Sequence, residues 1–150
     1  ERLIRNEMRR LGWNDAAAAP TVIEFRGGRI VLAGDESPWM GRHAEFPARE
    51  PRDFRILLSH TPDNLAIARR QQVDLMLSGH NHGGQIVLPL IGPVYSPSRF
   101  GVKYAGGAFF ESPTLLHVSR GLSGRYPLRW NCLPEATTIT LRSVPGSNAE

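Results

Sequence analysis

The chain has 150 residues, 41% apolar and 21% charged, the balance of a globular domain with its own core, which excludes a disordered or low-complexity protein. Lys plus Arg number 18 against 14 for Asp plus Glu, and every positive residue except Lys103 is Arg; the net charge of +4 suits an anionic substrate, but it is scattered, without the basic run or basic–aromatic stripe of a nucleic-acid binder. The lone cysteine, Cys132, excludes an internal disulfide, and no apolar run approaches the roughly 20 residues that span a bilayer.

The chain opens on Glu rather than Met, as a piece of a longer protein would. RLIRNEMRRL (2–11) is too charged for a signal peptide; its propensity is helical, at a length that also suits a strand. NDAAAAP (14–20) reads as a loop or short helical turns. TVIEF (21–25) and RIVLA (29–33) read as strands joined by a hairpin at Gly27 and Gly28. After the polar loop 37–53 comes the strand FRILLS (54–59), ending at His60. Thr61 as N-cap and Pro62 in the first turn predict a helix over 62–72, and DLMLS (74–78) follows as the next strand. That is a β-α-β unit within an α/β fold. GQIVL (84–88), TLLHVS (114–119) and TTITLRS (137–143) complete the predicted strands. The Gly- and Pro-rich stretch 90–109 is long for a structureless loop, and such loops are usually functional.

Between DLMLS and GQIVL stands Gly79-His80-Asn81-His82-Gly83-Gly84. On extended backbone, histidines at i and i+2 point the same way. If FRILLS and DLMLS are parallel neighbours, His60 ends at the same sheet edge, where ligand sites of α/β sheets collect. His60, His80 and His82 then converge as imidazole ligands for a divalent metal. The residues alone leave three forms open: hydrogen-bonded loop histidines, a mononuclear zinc centre with one free position, or half of a two-metal site. A metallo-β-lactamase pattern would require Asp where Gly84 stands.

LLSHTPD followed by DLMLSGHNHGGQI resembles the last two signature blocks of the calcineurin-like metallophosphoesterases. The resemblance is closest to the bacterial, often membrane-associated phosphodiesterase branch, whose later segments are matched by PSRFGVKYAGG (97–107) and VSRGLSGRYPLRWNCLPEATTITL (118–141). It covers most of residues 29–142, with Asn81 where the branch often has Thr. The resemblance implies a C-terminal half of a two-sheet sandwich with flanking helices, residues 1–150 being part of a single domain. It implies two divalent ions (Mn, Fe, Zn or similar) and phosphoester hydrolysis, with His60 and His80 on the second ion and His82 on the first. The family's earlier blocks, D-x-H, G-D-x-x-D and G-N-H-D/E, supply the bridging Asp, an Asn ligand and the general acid, and none occurs here. No catalytic acid is therefore expected in this chain, which alone should be inactive. Its expected partners are a phosphoester and the N-terminal half, with a cytoplasmic location and membrane contact made upstream. Asp35, in GDES (34–37), is expected as a loop carboxylate at the rim. The alternatives are a non-catalytic metal-binding or interaction fragment and a mononuclear zinc hydrolase.

Arg99 and Arg120 are candidates to clamp a phosphate, against the plainer reading of surface arginines. His117 is expected on a strand face, His43 in a loop without a partner, and Cys132 as a packed side chain. Trp39, Trp130, Phe100 and Tyr104 fit core or rim positions, or a groove for a lipid-like substrate. RIVLA, FRILLS and DLMLS are apolar at nearly every position, as in a sheet covered on both faces, yet the helix at 62–72 covers only one.

Overall fold

A computed structural model describes the chain apart from Glu1, Arg26, Ser123 and residues 125–127 and 143–150. Eight strands form: β1 (Thr21–Phe25), β2 (Gly28–Asp35), β3 (Asp53–Ser59), β4 (Leu75–Ser78), β5 (Val87–Leu88), β6 (Gly92–Pro93), β7 (Gly107–Glu111) and β8 (Thr114–Val118). Six of them make one sheet in the order β1-β2-β3-β4-β8-β7, and β5 and β6 pair separately. The middle of the sheet, β2-β3-β4-β8, is parallel, and β1 and β7 are antiparallel edges.

The predicted β-α-β unit is present. Thr61 Oγ1 accepts from the Asp63 N–H, and Pro62 opens a 3-10 turn (Pro62–Asn64) that continues as α2 (Leu65–Arg70). The turn fits because proline needs no N–H donor there. RLIRNEMRRL resolves as helix α1 (Arg2–Arg10) with no buried residue. What ties it down is Arg5, which bonds Asp15 at 2.8 Å and also pairs with Glu36. Gly34 lies under the segment that follows, its N–H on the Ala16 carbonyl at 2.8 Å, and a Cβ there would stand 2.9 Å from the Ala17 nitrogen.

Three strand expectations change. Of GQIVL, only Val87 and Leu88 form a strand, because positive φ at Gly84 and Gln85 breaks the extension. TTITLRS is not a strand over its described residues 137–142, and Ser143 lies outside them; its alternation finds no sheet edge. Residues 107–111, of which 107–109 fall in the stretch read as a loop, form β7 by folding back on β8, with Glu111 opposite Thr114.

Strand alternation and register sort the side chains by face. Ala33, Leu57, Met76, Leu116 and Val118 point to one face and pack with Leu65 and Ala68 of α2, Val73 and Tyr104. The opposite face carries Ile23, Phe25, Leu58, Phe110 and Leu115, all more than one-third exposed. The expectation of a sheet apolar on both sides but covered on one holds in part: on that face Ile56 and Leu75 are buried, and residues 16–17 lie against Gly34. Among the described residues no helix is long and apolar enough to cross a membrane.

Candidate metal centre

β3 and β4 are parallel with Ser59 opposite Ser78, so the residues just beyond them share one edge of the sheet. His60 follows Ser59 directly. Its N–H reaches the Asp35 carbonyl at 3.4 Å, and its carbonyl accepts from Gly79 N–H at 3.3 Å. Two residues past Ser78 the backbone turns, with His80 at φ 69° and His82 at φ 50°. Such angles are uncommon outside glycine and concentrate at functional sites. The turn brings His80 Nδ1 to 3.1 Å from His60 Nε2, and Trp39 packs against both rings at centroid distances of 4.9 and 4.7 Å.

Burial, first, and the neighbouring His60 and His82 hold the His80 imidazole below its ordinary pKa, against a smaller opposing pull from Asp63. The ring is thereby biased to the neutral form, which is the form that ligates. A cavity of about 860 Å³ opens beside the two rings, lined by Trp39, Met40, Leu58 and Leu77 and overhung by Met8 and Trp13.

Of the three predicted ligands, His60 and His80 meet. His82 shares the turn, but among the described residues no three His, Cys, Asp or Glu side chains stand close enough to hold an ion. Asn81, between them, is buried and tied inward: its side-chain N–H donates to the Tyr104 carbonyl at 2.7 Å.

Asp35 is buried and saturated. It accepts from the N–H and Oγ of Ser37 at 2.9 and 2.5 Å, from Ala44 N–H at 3.2 Å and from Asn64 at 3.2 Å. Its work is to curl residues 36–44 so that Trp39 lies on the histidines. His43, expected to lack a partner, has two: Nδ1 lies 2.7 Å from Ser37 Oγ and 3.2 Å from Asp35 Oδ2. Both contacts use the same nitrogen, and Ser37 already donates to Asp35. The trio is therefore not a nucleophilic triad, which needs one ring nitrogen for each partner.

Arg99 donates to the Asp63 carbonyl and lies 5.1 Å from the Phe100 ring; Arg120 donates to Glu135 Oε2 at 2.6 Å. Each thus has a partner within the chain. His117 faces outward from β8 beside Glu135 at 3.8 Å, as a strand-face histidine. Phe100, Tyr104 and Phe109 stack edge to face at 5.1 and 5.0 Å against the core, while Trp130 bridges to Ile86. Cys132 is buried. Trp39, expected at the core, at the rim or in an apolar groove, lies half-exposed on the cavity wall; its stacking on both histidine rings is a tertiary contact with no signal in the sequence.

No family model and no solved structure matches the chain. Curated relatives do. The chain is 36% identical over 121 residues to phosphodiesterase YaeI of Escherichia coli K12, covering 81% of this chain and 44% of that protein. It is 45% identical over 122 residues to metallophosphoesterase YkuE of Bacillus subtilis 168, covering 79% and 42%. To UDP-2,3-diacylglucosamine pyrophosphatase LpxG of Chlamydia trachomatis it is 30% identical over 140 residues, covering 89% and 41%. The chain belongs with the bacterial metallophosphoesterases and spans less than half the length of these relatives.

Proposed function

We propose that this chain forms the histidine-bearing part of a phosphoester-hydrolysing metal centre that is completed by a further stretch of the same domain. The observation that carries the reading is the pair His60 Nε2 and His80 Nδ1, 3.1 Å apart at the ends of adjacent parallel strands. Two nitrogens on one ion, each bonded at about 2.1 Å, stand roughly 3.0–3.4 Å apart at octahedral to tetrahedral angles. The pair fits that spacing, and the suppressed charge of His80 fits the role. His60 and His80 would hold one ion and His82 a second. Bound there, divalent ions supply activated water and neutralise charge on the phosphoryl group.

The remaining ligands and the general acid come from an N-terminal part, since the chain contains neither D-x-H nor G-N-H. The uncovered sheet face supports the same division, for it asks for a second layer. The test is metal content by mass spectrometry of the full-length protein together with turnover of an aryl phosphodiester. Two ions per chain are expected, with His80→Ala losing at least one of them and turnover falling on the order of 100-fold or more. Unchanged metal content and turnover in His80→Ala would defeat the reading.

A further inference from the structure

Within six residues, His80, His82, Gly83, Gly84 and Gln85 all have positive φ. Side chains with a Cβ rarely adopt that region, so the turn keeps its shape only where its surroundings impose it. On one side Asn81 reaches the Tyr104 carbonyl, and the Gly83 N–H donates to the Ala105 carbonyl at 3.1 Å.

The other side is a segment far along the chain. The Cys132 thiol donates to the His82 carbonyl at 3.3 Å. Arg129 Nη1 lies 3.4 Å from that same oxygen and 3.4 Å from the Cys132 carbonyl. Its Nη2 donates to the carbonyls of Arg120 at 2.7 Å and Gly121 at 3.2 Å, just beyond β8. One guanidinium therefore gathers carbonyl oxygens from the histidine turn, the end of β8 and its own segment. Because the fork is planar and rigid, it fixes those three relative to one another; an ammonium, a single mobile point, does not.

The segment is itself registered against the turn. Trp130 N–H donates to the Gln85 carbonyl at 2.9 Å, and Val87 N–H to the Trp130 carbonyl at 3.0 Å. Gly83 leaves room for the assembly: a Cβ there would stand 2.5 Å from Cys132 Sγ.

We propose that Arg129, backed by Cys132, is a positioning residue for the histidine turn, fixing the His82 carbonyl and through it the aim of the imidazoles on either side of Asn81. The inference rests on the metal-centre reading and adds to it a residue 47 positions downstream of His82. Partners that orient metal ligands without touching the metal typically contribute about 10–100-fold in affinity.

The test uses the full-length protein and Mn²⁺ as the probe. Arg129→Lys keeps the charge and loses the fork; Arg129→Met keeps the stem and loses the donors. Both are expected to bind Mn²⁺ about 10–100-fold more weakly by calorimetry. In the metal-free protein, the amides of Gly83 to Gln85 should exchange at least about tenfold faster, with those of β3 and β4 unchanged. A folded variant within twofold of wild type in both affinity and exchange overturns the proposal. If neither Arg129 variant folds, Cys132→Ala carries the exchange test, and unchanged protection at Gly83 overturns it. His80→Ala and His82→Ala variants that bind Mn²⁺ like wild type would instead sink the metal-centre reading, leaving the exchange result to decide the role of Arg129.

Discussion

Replacing Gly83 by alanine isolates how tightly the histidine turn is packed. Gly83 sits at φ 68°, and an added Cβ would meet Cys132 Sγ at 2.5 Å and the Cγ and Cδ of Arg120 at 2.8 and 3.0 Å. The left-handed backbone costs alanine about 1–2 kcal/mol. The steric contact adds about 1–3 kcal/mol, as overpacking in a close-packed site does. The arginine stem can swing aside, though it then loses the 2.6 Å bond from Nε to Glu135. The sulfur cannot, because Cys132 is buried. Gly83→Ala should therefore destabilise the full-length protein by about 2–4 kcal/mol, read from urea midpoints at constant m value. Adding Cys132→Ala removes the closest atom, so the two changes should be sub-additive by about 1–2 kcal/mol in a double-mutant cycle. A single-mutant cost under about 0.5 kcal/mol, or strict additivity, would refute this account of the packing.

Three further outcomes are expected. Burial would raise the Asp53 carboxyl, but the Glu50 N–H and the Arg29 guanidinium outweigh it and hold the group below its usual range. The stabilisation is thus present above the unfolded pKa of about 3.9 and is lost as pH falls through the lower folded value; Asp53→Asn should flatten urea stability measured between pH 6 and pH 3, and an unchanged slope would refute the assignment. The lone 150-residue chain should self-associate in sedimentation at micromolar concentration, since Ile23, Phe25, Leu58, Phe110 and Leu115 leave apolar surface open on one face of the sheet, and apolar surface left in water forgoes about 25 cal/mol per Å²; a cooperatively unfolding monomer that binds no hydrophobic dye would count against it. The lone chain should also give no turnover of an activated aryl phosphodiester, and robust turnover abolished by His82→Ala would favour the mononuclear reading.

The central strands were legible because they are apolar at nearly every position, as in RILL and LML, the pattern of parallel strands in a sheet that takes cover on both faces. The helix start was legible because Thr61 and Pro62 act locally. His60 and His80 could be brought together on paper because parallel strands joined by a helix end at one edge. Where pairing decided the outcome, the pattern misled. TTITL alternates like a strand, but alternation makes a strand only when an edge accepts it. GAFFE became one because a tight connection folds it onto β8. The Asp35 network and the Arg129 fork were invisible because each joins groups that meet only in three dimensions.

Completing the site and covering the sheet are one problem under the proposed reading. By alternation along β3, His60 falls on the same side as Phe54, Ile56 and Leu58, away from α2. The cavity beside His60 and His80 is floored by Leu58 and Leu77 and overhung by Met8 and Trp13, so the imidazoles border the face opposite α2, part of which the α1 segment already covers. A second layer placed on that face therefore meets the histidines as well as the leucines. Its hydrophobic burial supplies the free energy, and its polar residues at that edge supply the missing ligands. Two isolated imidazoles hold an ion weakly, and carboxylates scattered on another layer would repel one another. Packing the layers offsets both costs with surface far from the chemistry. Under that reading, this chain can hold His60 and His80 together without containing a complete centre. Trp39, Asn81 and the Arg129 segment set the histidines in place on this side, and the other side needs only to arrive in register.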